Sequence, residues 1–413
     1  MLRNLLLLLL LFPFRSFTQT ISVYEGAYRA VIEREDGKKI IFNLDYSKLN
    51  GKPVIYIRNA NEKILVDQVQ ISGDSLWFQM PVFESQFRVK VLADGNWKGF
   101  WVRGTTFSSR QEIPFYAYAG ITNRFSSKNL PATNNISGRW EVEFKEDETT
   151  RPAIAEFTQN QNYLTGTFLT PSGDYRYLEG RVSADSMELS VFDGTHAYYF
   201  SALITSDSTI SSGLYIAGST HVESWKATKN PNATLPEEII AMHLKPGQER
   251  LNFRFPDLDG KMVSINDPQF NNKVVVVQIM GSWCPNCMDE TAFLSEYYKN
   301  HKNSGLEIIA LAYEYSTDFE RSKASLNKFR KRFNVAYPML ITGVSTSDSL
   351  RTEKTLPQFT PIKGFPTTIF IGKDGKVKKT HGGFYGPGTG IHFEESKEFF
   401  IETVNELLKE KEN

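Results

Sequence analysis

The chain has 413 residues, too many for one ordinary domain and enough for two or three that each bury a core. Lys plus Arg and Asp plus Glu number 47 each, so no net field draws nucleic acid or an acidic membrane surface. Nucleic-acid binding is therefore not expected.

Arg3, the leucine run Leu5 to Leu11 and the polar stretch Arg15 to Thr20 form a basic, then apolar, then polar series. That series reads as a signal peptide over residues 1–19, because the apolar part falls short of the roughly 20 residues a membrane helix needs. The expectation is an exported chain. Membrane association is expected only through an uncleaved N-terminal segment.

A first β domain is expected over residues 20–127. Tyr28, Ala30 and Ile32 alternate with Arg29, Val31 and Glu33, and Asp36-Gly37 marks a hairpin turn. A second, similar β domain is expected over 128–230. Gly26-x-Tyr28-x-Ala30-x-Ile32 matches Gly138-x-Trp140-x-Val142-x-Phe144, Asp74-Ser75-Leu76 matches Asp185-Ser186-Met187, and Gly99-Phe100-Trp101 matches Gly213-Leu214-Tyr215. Offsets of 111 to 114 residues recur, which argues for a duplicated antiparallel barrel or sandwich. Trp77, Trp97, Trp101, Tyr198 and Tyr199 read first as strand and core aromatics. No His, Asp and Glu cluster at metal spacing stands out here, and His196 and His221 read as incidental.

Residues 231–248 read as a linker, with a short helical piece at Glu237 to Leu244 between two Pro-containing breaks. From 249 to 413 the pattern becomes α/β. A hairpin around Asp259-Gly260 comes first, then a β-branched strand, Val274 to Met280, and a helix Asp289 to His301. Strand Leu306 to Tyr313, helix Lys323 to Phe333, strand Tyr337 to Ile341 and a polar insertion from Gly343 to Gln358 follow. A hairpin of Thr367 to Ile371 and Val377 to His381 precedes an amphipathic helix, Glu394 to Lys409. Such alternation makes a mixed sheet flanked by helices.

The only two cysteines, Cys284 and Cys287, lie in Trp283-Cys-Pro-Asn-Cys between that strand and its helix. A structural staple, a metal site and a redox pair are the three readings. A bridge closing so short a loop stabilises little, and structural zinc wants four Cys or His ligands. The spacing therefore favours a redox pair at a helix N-terminus, where amides and dipole favour a thiolate.

Three blocks carry a resemblance: Phe255-Pro-Asp-Leu-Asp-Gly-Lys261, Trp283-Cys-Pro-Asn-Cys-Met-Asp-Glu290 and Gly364-Phe-Pro-Thr-Thr368. Together they resemble the TlpA-like, thioredoxin-fold thiol-disulfide oxidoreductases exported by bacteria. The resemblance implies a thioredoxin-like C-terminal domain, an enzyme acting on protein disulfides in the periplasm or cell envelope, and no cofactor beyond the redox-active disulfide Cys284–Cys287. Its partners would be protein thiols or disulfides and an upstream electron donor. Cys284, the more exposed cysteine, would attack and Cys287 would resolve. Glu290 matches the acidic residue beside the dithiol, a proton acceptor or else a helix-dipole partner. Trp283, Phe365 and a cis Pro366 would form the substrate-binding surface, and Gln278 could only hydrogen-bond. The group is mostly reducing, but its usual order is Cys-x-Pro-Cys, so Cys-Pro-Asn-Cys leaves both directions of electron flow open. Two other classes compete: a ligand- or partner-binding β module with an accessory thioredoxin-like domain, and a peroxidase using Cys284.

Overall fold

The computed structural model describes residues 22–125, 130–236 and 239–410. The expected signal peptide lies outside them. The N-terminal region is all-β. Its first meander comprises β1 (Gly26–Glu33), β2 (Lys39–Leu49), β3 (Lys52–Asn59), β4 (Glu62–Val66), β5 (Gln68–Ser72), β6 (Ser75–Gln79), β7 (Ser85–Val91), β8 (Trp97–Arg103) and β9 (Gln111–Ala119). The sheet curls until β9 pairs with β1, with the ends of the order at β4 and β5. A second meander comprises β10 (Gly138–Glu146), β11 (Thr149–Asn160), β12 (Tyr163–Thr170), β13 (Gly173–Asp174), β14 (Leu178–Ser183), β15 (Ser186–Phe192), β16 (Ala197–Ser206), β17 (Thr209–Ala217) and β18 (His221–Lys229). Here β10 takes the place of β1 and β18 that of β9, and a β11–β12 pairing closes the barrel.

Alternating inward residues fill both barrels, as a pleated sheet with one solvated face requires. Phe168 stacks on Phe200 at 4.5 Å in the second core, and Phe78 on Phe87 at 4.5 Å in the first. Trp97 and Trp101 are buried, whereas Trp77 is only partly buried and donates to the Gln86 side chain at 2.8 Å. The two units also share a core. Phe192, at the end of β15, packs on Phe42 at 4.3 Å and on Trp101 at 5.3 Å, inside the first barrel.

The C-terminal domain opens with a small hairpin, β19 (Arg254–Pro256) and β20 (Met262–Ser264). Its main sheet holds β21 (Val274–Met280), β22 (Leu306–Ala312), β23 (Met339–Ile341), β24 (Thr367–Ile371) and β25 (Val377–Gly382), in the order β23-β22-β21-β24-β25. β21 is central, parallel to β22 and antiparallel to β24, and all seven of its residues are buried. That is why it reads as an unbroken apolar run rather than an alternation. Helices α1 (Pro285–His301), α2 (Phe319–Phe333), α3 (Arg351–Thr355) and α4 (Ile391–Lys409) accompany the sheet. This is the thioredoxin-like arrangement.

Several boundaries differ from expectation. α1 starts at Pro285, α2 at Phe319 and α4 at Ile391, each earlier than its apolar stripe suggests; in α1 and α2 a capping side chain, Cys284 and Asp318, sets the first turn. Residues 239–244 form no α-helix: Ile240 and Met242 are buried, and Leu244 bridges to Phe359. The polar insertion contains α3. No helix among the described residues is long and apolar enough to cross a membrane.

Candidate redox site

β21 ends at Met280, and the four residues Gly281 to Cys284 turn the chain into α1. Gly281 is required there, since a Cβ would lie 2.2 Å from Trp283 Nε1. The ring of Trp283 can thus fold back, donating to the Tyr313 carbonyl at 2.8 Å. Ser282 fixes the turn by donating from its amide and hydroxyl to Glu314, at 2.8 and 2.6 Å. Burial pushes the Glu314 carboxyl up to about 7 despite those bonds.

Cys284 is the N-cap of α1, and its Sγ accepts from the Cys287 amide at 3.2 Å. Pro285 occupies the first turn, where a missing amide hydrogen costs nothing. The two cysteines form a disulfide. Cys287 is fully buried and Cys284 is 5% exposed, so Cys284 is the more exposed of the two, although Val82 and Phe83 of the first β unit share the apolar cluster that encloses both.

The remaining expected site residues converge on this turn. The Phe365–Pro366 bond is cis. The Phe365 ring meets Trp283 edge-on at 5.3 Å, and both pack on the apolar cluster that holds the two cysteines. Glu290 is fully enclosed between α1, β21 and β24. It accepts from Gln278 Nε2 at 2.7 Å and from Thr368 Oγ1 at 2.6 Å, and Gln278 lies opposite Thr368 in the sheet. Burial outweighs both bonds and pushes the Glu290 carboxyl up to about 7. A buried acid in that state suits a proton acceptor better than a surface partner of the helix dipole. Gln278 is a hydrogen-bonding partner, as its side chain dictates.

The β units supply contacts that local sequence patterns do not signal. Asn286 donates to the Phe384 carbonyl at 3.1 Å and lies so close to Gly173 of β13 that a Cβ there would sit 1.5 Å from its Nδ2. Asp289, buried, pairs with Arg176 at 2.6 Å, and Arg176 also pairs with Glu62 at 2.7 Å. On another flank, Val82 and Phe83 join the apolar cluster of the dithiol, and Glu84 pairs with Arg321 of α2 at 2.8 Å. The β units also bring Glu146, His221 and Glu223 together, a His and Glu group that the sequence spacing does not show. Arg151 holds Glu223 at 2.6 Å, which already balances the buried carboxylate of that group.

Comparison with known proteins agrees with this geometry. Residues 245–388 match the Redoxin family model. The chain is 31% identical over 131 residues to the thiol-disulfide oxidoreductase ResA of Bacillus thuringiensis subsp. konkukian (strain 97-27), and 27% identical over 136 residues to ResA of Bacillus subtilis (strain 168). These alignments cover 32% and 33% of this chain and 66% of each relative, so just under two thirds of the relatives' length is spanned. A solved structure of a thiol-disulfide oxidoreductase from Bacteroides fragilis NCTC 9343 aligns with TM-score 0.28 and 19% identity, over 36% of this chain and 98% of that one.

Proposed function

Residues 245–388 form a redoxin domain of thioredoxin fold, and from that premise we propose that the chain is an exported thiol-disulfide oxidoreductase acting on protein disulfides through Cys284 and Cys287. One observation carries the reading: a disulfide-bonded cysteine pair at a helix N-terminus, with the Cys284 sulfur facing the Cys287 amide and a buried acid, Glu290, three residues further on.

In the reduced protein the Cys284 thiolate attacks a client disulfide, forming a mixed disulfide and releasing one client thiolate. Cys287, having lost its proton, attacks Cys284 and expels the second client thiolate. The client gains two electrons and two protons, and the protein is left as the Cys284–Cys287 disulfide. Glu290 takes the Cys287 proton, while Trp283, Phe365 and Pro366 bind the client. No further cofactor is needed, because the dithiol itself carries both electrons; an upstream donor resets it. Export to the periplasm or cell envelope is supported by the basic and leucine-rich N-terminal pattern.

Cys284→Ser should abolish reduction of a disulfide-bonded protein, and Cys287→Ser should accumulate a mixed disulfide visible on a non-reducing gel. Full turnover by Cys284→Ser would falsify the mechanism. The reducing direction is the one proposed, and a dithiol potential near about −270 mV supports it, whereas one near about −120 mV assigns the protein to oxidation.

A further inference from the structure

The β units close on the dithiol from two flanks, through Arg176 with Gly173 and through Glu84 with Phe83. Beside this covered edge lies an open cleft of about 620 Å³ between the two units. Its walls are the loop joining β8 to β9 and the stretches around Thr195 and Ser219. One aromatic layer separates it from the redox turn. Arg103 and Thr195, both in the wall, act on the hydroxyl of half-buried Tyr315, and the Tyr315 ring stacks on Trp283 at 5.5 Å, the residue before Cys284.

Charge distinguishes this cleft. Every other arginine of the two β units except Arg29 pairs with a carboxylate. Arg103 has no such partner among the described residues; it lies over the Trp101 ring at 5.0 Å, and its buried Nε has no hydrogen-bond acceptor. The acid nearest in effect is Asp193, which already faces Arg176 at 3.7 Å and His196 at 3.5 Å, and burial raises its pKa. His196 carries no charge near neutrality, because burial and the two arginines push its pKa down to about 3. Arg110 also lines the cleft, paired with Glu112. A half-buried guanidinium with no carboxylate in ion-pair contact is costly, and a carboxylate arriving from outside supplies the bidentate acceptor it lacks. Phe107, 96% exposed at the rim, offers such a segment an apolar grip.

We propose that this cleft is the client-docking site beside the dithiol and that it takes an extended peptide segment bearing an Asp or Glu side chain, held by Arg103. The proposal rests on the thiol-disulfide reading of Cys284 and Cys287, so its test separates the two. The substrates are two synthetic peptides, each closed by one internal disulfide and identical except that the flanking residues are Asp and Glu in one and Asn and Gln in the other.

The reduced full chain should process the acidic peptide with kcat/KM about tenfold above the neutral one, the scale of one charge-assisted hydrogen bond, and added salt should shrink the difference. Arg103→Gln should bring the acidic peptide down to the neutral peptide's level, and Arg103→Lys, which keeps the charge, should restore part of the preference. Turnover of both peptides at equal kcat/KM by the unsubstituted protein overturns the docking site and leaves the redox reading standing. Calorimetry with a cysteine-free acidic peptide and the oxidised protein needs no thiol chemistry. Binding there that is lost in Arg103→Gln, with neither disulfide peptide turned over, upholds the cleft and defeats the redox reading. Absence of binding in the unsubstituted protein overturns the cleft.

Discussion

Glu290 shows how much of the site's chemistry one side chain carries. Its ordinary carboxyl pKa of 4.5 rises to about 7 in the fold, because enclosure costs the charged form more than Gln278 and Thr368 return by donating to it. Between those two values the folded state holds a proton that the unfolded chain has released. Stability contributed by this group therefore falls as pH climbs from about 4.5 to 7 and stays lower above. Glu290→Gln keeps the shape and removes the titration, so relative to the unsubstituted protein the variant should gain stability on going from pH 5 to pH 8, as read by urea denaturation of the oxidised form. A gap that does not change with pH would show that Glu290 is not the titrating acid. The same variant cannot accept the Cys287 proton, and its turnover should fall most above pH 7, where Glu290 is ionised. The cysteine pair was legible in the sequence from its short spacing, whereas Glu290 and Pro366 were singled out only through the motifs they share with the TlpA-like group; the fold buries the one and holds the other in a cis peptide bond. Arg176 was not: its partner Asp289 is 113 residues away, and no local pattern announces such a pair.

At the scale of elements, the strand Val274–Met280 was legible to the residue, since a strand buried on both faces leaves an uninterrupted β-branched run. The helices were legible in their interiors and not at their starts. In α2 the apolar pattern is clear only from Lys323, yet the helix begins at Phe319, because Asp318 accepts from the Arg321 amide at 2.7 Å. That cap satisfies one of the four free amides of the first turn. Asp318→Ala should cost about 1 kcal/mol in chemical denaturation. The helix it starts carries Arg321 and Ser325, both bonded to Glu84 of the first barrel, so its first turn also anchors one of the covering flanks. No change in the denaturation midpoint would mean that solvent serves that turn as well as the carboxylate does.

Across the whole molecule, the two barrels and the redox domain meet at Arg176. Glu62 comes from the first barrel, Asp174, Arg176 and Asp193 from the second, and Asp289 from α1. Four carboxylates thus surround one guanidinium, and Arg176, Asp174 and Glu62 are the charged groups that act on Asp289. Burial raises the pKa of Asp174, Asp193 and Asp289, the last to about 7, because enclosure penalises the charged form of each. Arg176→Leu removes the only cation among them. Breaking a buried pair in this way costs about 3–5 kcal/mol. Protonation softens the loss at low pH, because folded carboxylates with raised pKa values bind protons that the unfolded chain gives up. The destabilisation should therefore be larger at pH 8 than at pH 6 in urea denaturation. Arg176 also holds β13 and its neighbours against the first turn of α1, where Cys284 is almost fully covered. After reduction, Cys284 in the variant should react faster with iodoacetamide under conditions where the protein remains folded. A lower denaturation midpoint with an unchanged alkylation rate would separate the two roles, leaving Arg176 as a stabilising residue and placing the cover of the dithiol on the Phe83 and Glu84 flank.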